Sequence, residues 1–468
     1  MSEDVRIEED SLGEMEVPEG AYWGAQTQRA VENFPISGIT FSRRFIRALG
    51  IVKKAAAEAN RDLDLLEEST AKAIVEAADE VIAGTHDGEF PVDVFQTGSG
   101  TSSNMNANEV IANRATEIQG GEIGSRDVHP NDHVNYGQSS NDVIPTAMHV
   151  AALEAIEKDV LPALELLEEE LEAKEEEFAA VVKTGRTHLQ DATPVTLGQE
   201  FSGYRTQIEK GRVRVKATRA HLAELALGGT AVGTGLNTHE EFPEKAAEYI
   251  TEETGVDFVE ADNHFEAQAA HDAMVEAHGA LRVVAGSMNK IANDLRLLAS
   301  GPRNGLGELE QPENQPGSSI MPGKINPVVA ESVNQVHKQV VGNDAAVSAG
   351  GARGELDLNL YKPVLAHNFL ESAQLLANAA EAFGERFVSK LEANAEHCEA
   401  QVEESMALAT ALNPHIGYDK ASDAAKTALK EDKTVREVVI EKGYLDESEV
   451  EEVLDPELMT HRGILGQE

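Results

Sequence analysis

A short segment rich in glycine, proline, serine, lysine and asparagine is the first candidate for chemistry. Residues 317–327 read GSSIMPGKINP, which places a serine pair, Lys324 and Asn326 on one stretch of chain. The glycines permit backbone conformations that other residues resist, the prolines interrupt regular hydrogen bonding, and Lys324 and Asn326 supply fixed donors. We therefore predict a loop that can close over an anion. The alternative is a surface connection, which is the usual role of such a composition.

A second polar segment, QTGSGTSSNMN at residues 96–106, carries many neutral hydrogen-bond donors. They include the side chains of Ser99, Thr101 and Asn104, and donors of this kind suit a carboxylate or a phosphate. The alternative is that the serines and asparagines cap a helix that we predict to begin near Asn106. The two roles are compatible, because a capped helix N-terminus can also bind an anion.

A third polar segment, HPNDHVNYGQSSN at residues 129–141, precedes a long helix that we predict to begin near Asn141. The first turn of a helix offers free N–H groups and the positive end of the helix dipole. Ser139, Ser140 and Asn141 are therefore candidates to hold an anionic substrate. The alternatives are that Asn141 is only the helix cap and that the two histidines are only loop surface.

A fourth segment, GRTHLQDATP at residues 185–194, places Thr187 beside His188 ahead of another long helix. Histidine is the commonest acid–base residue near neutral pH, although a single histidine is more often structural. Glu331 follows Asn326 by five residues and could orient and charge such a histidine. The alternative is that Glu331 is simply one of 83 acidic residues.

Apolar residues with helical spacing predict the elements that position these loops. Long helices dominate residues 139–396, between loops and short helices at 1–138 and a small helical zone at 397–468, and we predict these three zones as domains. Helices of about 30 residues are roughly 45 Å long, so we predict a homo-oligomer that covers their apolar faces. The four apolar series are Leu153, Ile156, Val160, Leu164, Leu167, Leu171 and Phe178; Leu197, Phe201, Tyr204, Ile208, Val215, Leu222 and Leu225; Val329, Val333, Val336, Val340 and Val347; and Leu365, Phe369, Ala373, Leu376, Ala380, Phe383, Phe387 and Leu391.

Composition excludes several classes of function. The chain has 39 basic and 83 acidic residues and a formal net charge of -44, which argues against a nucleic-acid partner. No apolar run is long enough to span a membrane, and the acidic N-terminus differs from a secretory signal, so we expect a cytoplasmic location. With one cysteine and no recognisable histidine spacing for a metal, we predict no metal.

The net charge of -44 also implies strong repulsion among the acidic side chains. We therefore predict adaptation to a salty cytoplasm, in which salt screens this repulsion, with an ordinary acidic protein as the alternative.

The motifs together resemble one family. The segments QTGSGTSSNMN, HPND, SSND, GRTHLQDATP, GGTAVGTGLN and GSSIMPGKINP, in this order and spacing, resemble the aspartase/fumarase superfamily and most closely its class II fumarases. The resemblance extends from WGAQTQR at residues 23–29 to ALNPHIGYDKA at residues 411–421, and so covers nearly the whole chain. Six ordered motifs are far more specific than any one of them.

The resemblance implies an all-α, three-domain fold whose central helix bundle merges into the twenty-helix core of a homotetramer. It further implies active sites that are each built from three chains, with no metal and no cofactor, and the reversible hydration of the dicarboxylate fumarate to L-malate through an aci-carboxylate. It assigns Ser318 as the base that removes the C3 proton, and His188, oriented by Glu331, as the group that activates water. The implied substrate-binding residues are Ser99, Thr101, Asn104, Ser139, Ser140, Asn141, Thr187, Lys324 and Asn326. The implied second anion site comprises Arg126, His129, Asn131 and Asp132.

Three alternatives remain open at this point. The segment NPVVAESVNQV after the serine–lysine loop and the segment HPNDHVN are closer to aspartate ammonia-lyases, whereas His188, SSND and WGAQTQR are typical of fumarases. A catalytically silent structural protein of the superfamily would be expected to lack Ser318 or His188, and both are present. Lyases that release larger groups would need a nucleotide or guanidinium site, for which the sequence shows no clear motif.

Overall fold

Helices form most of this chain, as the apolar periodicity predicts. The computed structural model describes residues 4–465, and within that range no helix is long and apolar enough to cross a membrane. The helices are α1 (Ala25–Asn33), α2 (Arg43–Asp62), α3 (Glu68–Ala83), α4 (Thr101–Ile118), α5 (Ser140–Ala155), α6 (Leu161–Glu177), α7 (Leu197–Ala217), α8 (Arg219–Leu222), α9 (Phe242–Thr254), α10 (His264–Ala269), α11 (Asp272–Leu298), α12 (Val328–Gly351), α13 (Lys362–Arg386), α14 (Ala395–Glu404), α15 (Asn413–Ile416), α16 (Tyr418–Glu431), α17 (Val435–Glu441) and α18 (Glu447–Val453).

The strands are short and pair only two at a time within the described residues. Three pairs are antiparallel and the pair of β5 with β6 is parallel. The strands are β1 (Val5–Asp10), β2 (Gly13–Pro18), β3 (Val182–Thr187), β4 (Gln190–Thr196), β5 (Glu224–Leu225), β6 (Val259–Glu260), β7 (Leu309–Glu310) and β8 (Glu392–Ala393). Sheets of this size cannot form a core by themselves, so the fold depends on its helices. The predicted mainly helical class is confirmed.

The apolar series lie on the long helices and are largely buried. Every member of the first, second and fourth series is buried, whereas Val329 and Val336 of the third are only partly covered. The first series runs without interruption from α5 to α6, because the π-helical turn Ile156–Val160 joins them. The helical spacing therefore identified both the elements and the faces that they bury.

The described chain forms two compact units. The first contains the chain up to Pro162 with Arg212–Ala285 and Val336–Ala377, and in it α2 packs against α3, α5 and α9. The second contains Ala163–Gly211, Gly286–Gln335 and the chain from Asn378 onward, with an apolar cluster that includes Leu408 and Leu412. The three sequence zones at 1–138, 139–396 and 397–468 stay a prediction.

Candidate active site

The serine–lysine loop of the second unit is closed on itself by hydrogen bonds. The Gly317 N–H donates to the Lys324 carbonyl at 2.9 Å, and the Asn326 side-chain amide donates to the Gly317 carbonyl at 2.6 Å. A Cβ atom at position 317 would lie 2.3 Å from the Lys324 carbonyl oxygen, so only glycine permits this approach. The loop predicted from glycine and proline content is therefore a structured turn that brings its two ends together.

Within this loop, the Ser318 hydroxyl accepts two backbone hydrogen bonds. The N–H of Ile320 lies 3.2 Å from Ser318 Oγ and the N–H of Met321 lies 2.9 Å from it. Donors aimed at an oxygen favour its deprotonated form, because they stabilise the negative charge. Ser318 is half-buried and Lys324 is exposed. The loop thus carries both a hydroxyl whose negative charge would be stabilised and an exposed lysine.

His188 occupies the tip of a hairpin that the sequence did not predict. Thr187 pairs with Gln190 across β3 and β4, so His188 and Leu189 form a two-residue turn, with φ of 56° and 58°. Positive φ at both positions is the requirement of a type I′ turn, which usually takes asparagine and glycine, and the unusual residues explain why the turn was missed. His188 and Thr187 are both exposed. The hairpin therefore projects both side chains into solvent.

Buried charges hold the base of this hairpin. Glu308 is fully buried and pairs with Lys183, at 3.2 Å, and with Arg186, both of which lie on β3. A buried carboxylate and its cationic partners depend strongly on one another. This ion-pair cluster fixes the strand that ends at Thr187, directly before His188.

Glu331 lies in the first turn of α12, where its backbone N–H donates to the Pro327 carbonyl at 3.0 Å. Within residues 4–465, no hydrogen bond or ion pair joins its carboxylate to His188 or to Ser318. The three predicted catalytic side chains therefore lie in the second unit, and within the described part of a single chain no hydrogen bond or ion pair joins them. Asn326 and Lys324 share the loop of Ser318, as predicted.

The polar segment at residues 96–106 forms the start of a helix earlier than predicted. Helix α4 begins at Thr101 and not near Asn106, because Gly100 adopts a left-handed φ of 80° that turns the chain into the helix. The Ser99 and Thr101 hydroxyls are 2.8 Å apart, and Asn104 Nδ2 lies 3.0 Å from Ser140 Oγ. The structure thus brings Asn104 of the second segment to Ser140 of the third.

Helix α5 begins at Ser140, one residue before the predicted start, and Ser139 is its cap. The Ser139 hydroxyl accepts the Asn141 N–H at 3.2 Å, and Asp142 accepts the Ser139 N–H at 2.9 Å, forming a capping box. The alternative that Asn141 is the cap is therefore wrong. Its side chain instead donates to the Ala231 carbonyl at 2.7 Å.

Two buried charged residues support the start of α5. Pro145 has no N–H for the Asn141 carbonyl four residues earlier, and this oxygen instead accepts a hydrogen bond from Lys362 Nζ at 3.1 Å. Asp142 is fully buried and also accepts the N–H of Gly228 and of Thr230. Burial raises the pKa of Asp142 to about 6 and lowers that of Lys362 to about 7. Asp142 is the last residue of the SSND motif, to which the sequence assigned no role of its own, and no motif pointed to Lys362.

A cavity of about 970 Å³ lies beside the start of α5 in the first unit. Its walls include Ser139, the segment around Asn131 and Asp132, and the loop that carries Thr230, Ala231 and residues 236–239. The GGTAVGTGLN motif therefore lines the same space as the predicted anion-binding segment at residues 129–141. A cavity walled by hydroxyl and amide groups suits a small polar ligand.

The predicted second anion site lies close to this cavity, and three of its residues form a turn. His129 Nδ1 accepts the N–H of Asn131 at 3.3 Å and of Asp132 at 3.1 Å, and so caps the π-helical turn Pro130–Val134. Arg126 has a φ of 62° and donates to the Glu9 carbonyl. These contacts give His129 and Arg126 structural roles, and an anion-binding role for the group stays a prediction.

Two known protein families and several curated relatives match this chain. A family described as "Lyase" matches residues 13–342, and one described as "Fumarase C C-terminus" matches residues 408–461. The chain is 79% identical over 465 residues to the class II fumarate hydratase of Halobacterium salinarum, covering 99% of each protein. It is 56% identical over 456 residues to that of Nitrosomonas europaea, covering 97% of this chain and 99% of the relative.

Solved structures agree with these relatives. The class II fumarase of Schistosoma mansoni superposes with a TM-score of 0.95 at 40% identity, covering 98% of this chain and 99% of that one. The fumarate lyase/delta crystallin of Brucella melitensis bound to cobalt gives a TM-score of 0.94 at 49% identity, covering 98% and 100%. The fold and its polar loops are those of a lyase of the aspartase/fumarase superfamily. Within that superfamily, the chain belongs to the class II fumarate hydratase family.

Proposed function

We propose that this chain catalyses the reversible hydration of fumarate to L-malate, with Ser318 as the base. The observation that carries this assignment is the pair of N–H groups, from Ile320 and Met321, that donate to Ser318 Oγ. An ordinary serine is far too weak an acid to act as an alkoxide. Two amide donors and the nearby Lys324 charge lower the cost of forming one.

The proton that Ser318 removes lies on C3 of malate, beside a carboxylate. The electron pair of the C–H bond moves into that carboxylate and gives an aci-carboxylate dianion. Loss of the C2 hydroxyl then forms the double bond of fumarate, and hydration reverses these steps. Lys324 and Asn326 stabilise the dianion, and these contacts raise the rate because they strengthen as charge develops.

His188 and Glu331 serve the other half of the reaction. His188, oriented and charged by Glu331, protonates the departing hydroxyl in one direction and activates water in the other. The hairpin tip exposes the imidazole, and the start of α12 exposes part of Glu331. Because these side chains do not meet within one chain, we propose that each active site takes them from different chains of a homotetramer.

The remaining predicted residues hold the two substrate carboxylates. Ser139, Ser140 and Asn141 offer their groups at the N-terminus of α5, where the helix dipole favours an anion. Thr187 joins them from the hairpin, and Ser99, Thr101 and Asn104 from the start of α4. We further propose a cytoplasmic, metal-independent enzyme that uses no cofactor, with a peripheral anion site at Arg126, His129, Asn131 and Asp132.

The relatives do not favour the alternative of an aspartate ammonia-lyase, because they are class II fumarate hydratases across nearly the full chain. A direct test supplies purified protein with L-malate and with L-aspartate and follows the ultraviolet absorbance of fumarate. We expect turnover of malate, and a decrease in kcat of at least about 1,000-fold in Ser318→Ala. The matched control is Ser319→Ala, since this neighbouring hydroxyl is exposed. Turnover of aspartate alone would contradict the proposal.

Mixed tetramers test the sharing of sites between chains. Ser318→Ala and His188→Asn are each expected to be inactive, and unfolding and reassembling them together should restore part of the activity. Restoration requires that some sites receive an intact Ser318 from one chain and an intact His188 from another. A mixture that stays as inactive as its parents, although assembled, would show that one chain supplies both residues.

A further inference from the structure

Lys53 is a fully buried lysine close to the start of α5. It lies on α2, has no exposed surface, and donates from Nζ to Asn135 Oδ1 and to Gln138 Oε1, both at 2.9 Å. A lysine ammonium can only donate hydrogen bonds. Lys53 therefore requires that both amide side chains present their oxygen atoms to it, and so fixes which way each amide is turned.

The orientation of the Asn135 amide in turn constrains the orientation of two further side chains. Its Oδ1 atom also accepts from Asn104 Nδ2 and from Asn108 Nδ2, each at 3.2 Å. Its own amide nitrogen donates to the Gln138 carbonyl at 3.1 Å. With the oxygen of Asn135 fixed by Lys53, Asn104 must present its nitrogen, because two oxygens facing each other would repel.

The chain of hydrogen bonds ends at Ser140. Asn104 Nδ2 directs one hydrogen to Asn135 and the other to Ser140 Oγ, at 3.0 Å. Ser140 Oγ therefore acts as an acceptor toward Asn104, and its own hydrogen needs another partner. Within residues 4–465, this hydroxyl donates no hydrogen bond to another protein atom. Because backbone carbonyls of a helix point away from its N-terminus, the O–H is left to donate to a ligand.

We propose that Lys53 is a positioning residue, which acts through Asn135 and Asn104 to hold the Ser140 hydroxyl as a hydrogen-bond donor to the substrate carboxylate. This inference rests on the proposed function, in which Ser140 contacts the substrate. Without Lys53, the Asn135 amide is oriented only by its weaker bonds to the Gln138 carbonyl and to Asn108. When it turns over, Asn104 can turn its oxygen to Ser140. The Ser140 hydroxyl would donate to Asn104 and be lost to the ligand.

The first test compares Lys53→Met with Lys54→Met. Lys54 is the adjacent residue on α2, but its ammonium pairs with Asp79 and Glu253 and takes no part in this chain of bonds. A lost hydrogen bond to a carboxylate acts on bound substrate and transition state alike. We therefore expect Lys53→Met to raise KM for L-malate by roughly tenfold or more, with a smaller change in kcat. Lys54→Met should keep the wild-type KM, and an unchanged KM in Lys53→Met overturns the inference.

A double-mutant cycle separates positioning from a merely structural role. If Lys53 acts through Ser140, then adding Lys53→Met to Ser140→Ala should raise KM little beyond Ser140→Ala alone. If the two effects multiply, Lys53 acts independently of Ser140 and the inference is wrong. If Lys53→Met fails to assemble, Asn135→Ala replaces it, because this variant breaks the same chain of hydrogen bonds and keeps Lys53. Little further increase in KM when Asn135→Ala is added to Ser140→Ala then supports the inference, and effects that multiply contradict it.

The same assay distinguishes this inference from the proposed function. If the wild-type protein and Lys54→Met both fail to produce fumarate from malate, the proposed function is wrong and the inference falls with it. If both are active and Lys53→Met matches them in KM, only the inference is wrong.

Discussion

Asp142 Oδ2 lies 2.9 Å from the backbone nitrogen of Thr230, and this contact ties the start of α5 to the GGTAVGTGLN loop. The same carboxylate accepts the N–H of Gly228 at 3.1 Å and, through its other oxygen, that of Ser139. A single buried side chain thus holds two walls of the polar cavity together. Its charge also raises the pKa values of Lys53 and Lys362 against the effect of burial, which lowers them.

Asp142→Ala should destabilise the protein by about 3–5 kcal/mol, because it leaves buried N–H groups unpaired and buried cations without a counter-charge. Urea unfolding at a fixed protein concentration measures this free energy. Asp79→Ala is the control, since its exposed pair with Lys54 is worth at most about 1 kcal/mol. Equal unfolding free energies for the two variants would contradict the role given to Asp142.

Lys53 should make stability depend on pH above neutrality. Burial lowers its pKa from 10.5 to about 7, so between these values the unfolded chain binds a proton that the folded chain does not. The contribution of Lys53 to the free energy of unfolding therefore rises as pH increases from about 7 toward 10.5, and it is lost as pH falls back through about 7.

We expect the urea midpoint of the wild type, relative to that of Lys53→Met, to rise between about pH 7 and pH 10. Lys362 contributes in the same direction in both proteins, so the comparison isolates Lys53. Parallel pH profiles for the two proteins would show that the ammonium is not titrating in this window.

Gly317→Ala should disable the serine–lysine loop with little effect on stability. The added methyl group would lie 2.3 Å from the Lys324 carbonyl oxygen and 2.8 Å from the Asn326 nitrogen, so the loop must open. A displacement of about 1 Å at a catalytic group can cost roughly 100-fold in rate, and we expect kcat/KM to fall by about that factor.

Gly20→Ala is the matched control for this prediction, because a Cβ at Gly20 meets no atom within 4 Å. Its steady-state kinetics and melting temperature should equal those of the wild type. Full activity in Gly317→Ala would mean that the closed loop is not needed for turnover.

Glu308→Gln should weaken both the fold and the hairpin that presents His188. The substitution removes the buried carboxylate that pairs with Arg186 and with Lys183, of which Lys183 keeps a second partner in Glu200 at 3.0 Å, and we expect a loss of about 3 kcal/mol. In the protein that still folds, kcat should fall, because β3 ends directly before His188, the residue proposed to activate water.

Glu310→Gln provides the comparison for Glu308, since Glu310 is exposed and should change stability by no more than about 0.5 kcal/mol. Thermal unfolding and malate kinetics of both variants test the prediction. A Glu308→Gln protein as stable as Glu310→Gln would show that the ion-pair cluster does not hold the hairpin.

The net charge of -44 predicts a protein that salt stabilises. At about 1 M salt the screening length falls to roughly 3 Å, which removes most of the repulsion among carboxylates. We expect the melting temperature to rise with KCl, and kcat/KM for the dianionic substrate to rise as salt increases from low levels. A melting temperature that does not change with KCl would favour an ordinary acidic protein. A steady fall of kcat/KM with KCl, measured on folded protein, would contradict improved substrate capture.

The helical fold and the main polar loops could be predicted from the sequence, because both depend on patterns among residues that are close together in the chain. Helical spacing identified buried positions such as Leu164 and Phe369 because a helix face is set by intervals of three and four residues. The loop of Ser318 was recognisable from glycine and proline, whose backbone preferences act within a few residues. The hairpin under His188 was missed because its turn uses residues that are rare at positive φ.

Local residue patterns were enough to predict the candidate reactive side chains, the class of fold and the family that the motifs resemble. The folded chain was needed to show that Asp142, Lys53 and Lys362 are buried together behind the start of α5, and that Asn104 contacts Ser140. These residues lie on four helices that are far apart in the chain, and no local pattern relates a lysine on α2 to a serine on α5. Their juxtaposition arises from packing, and packing also sets the burial that shifts their pKa values.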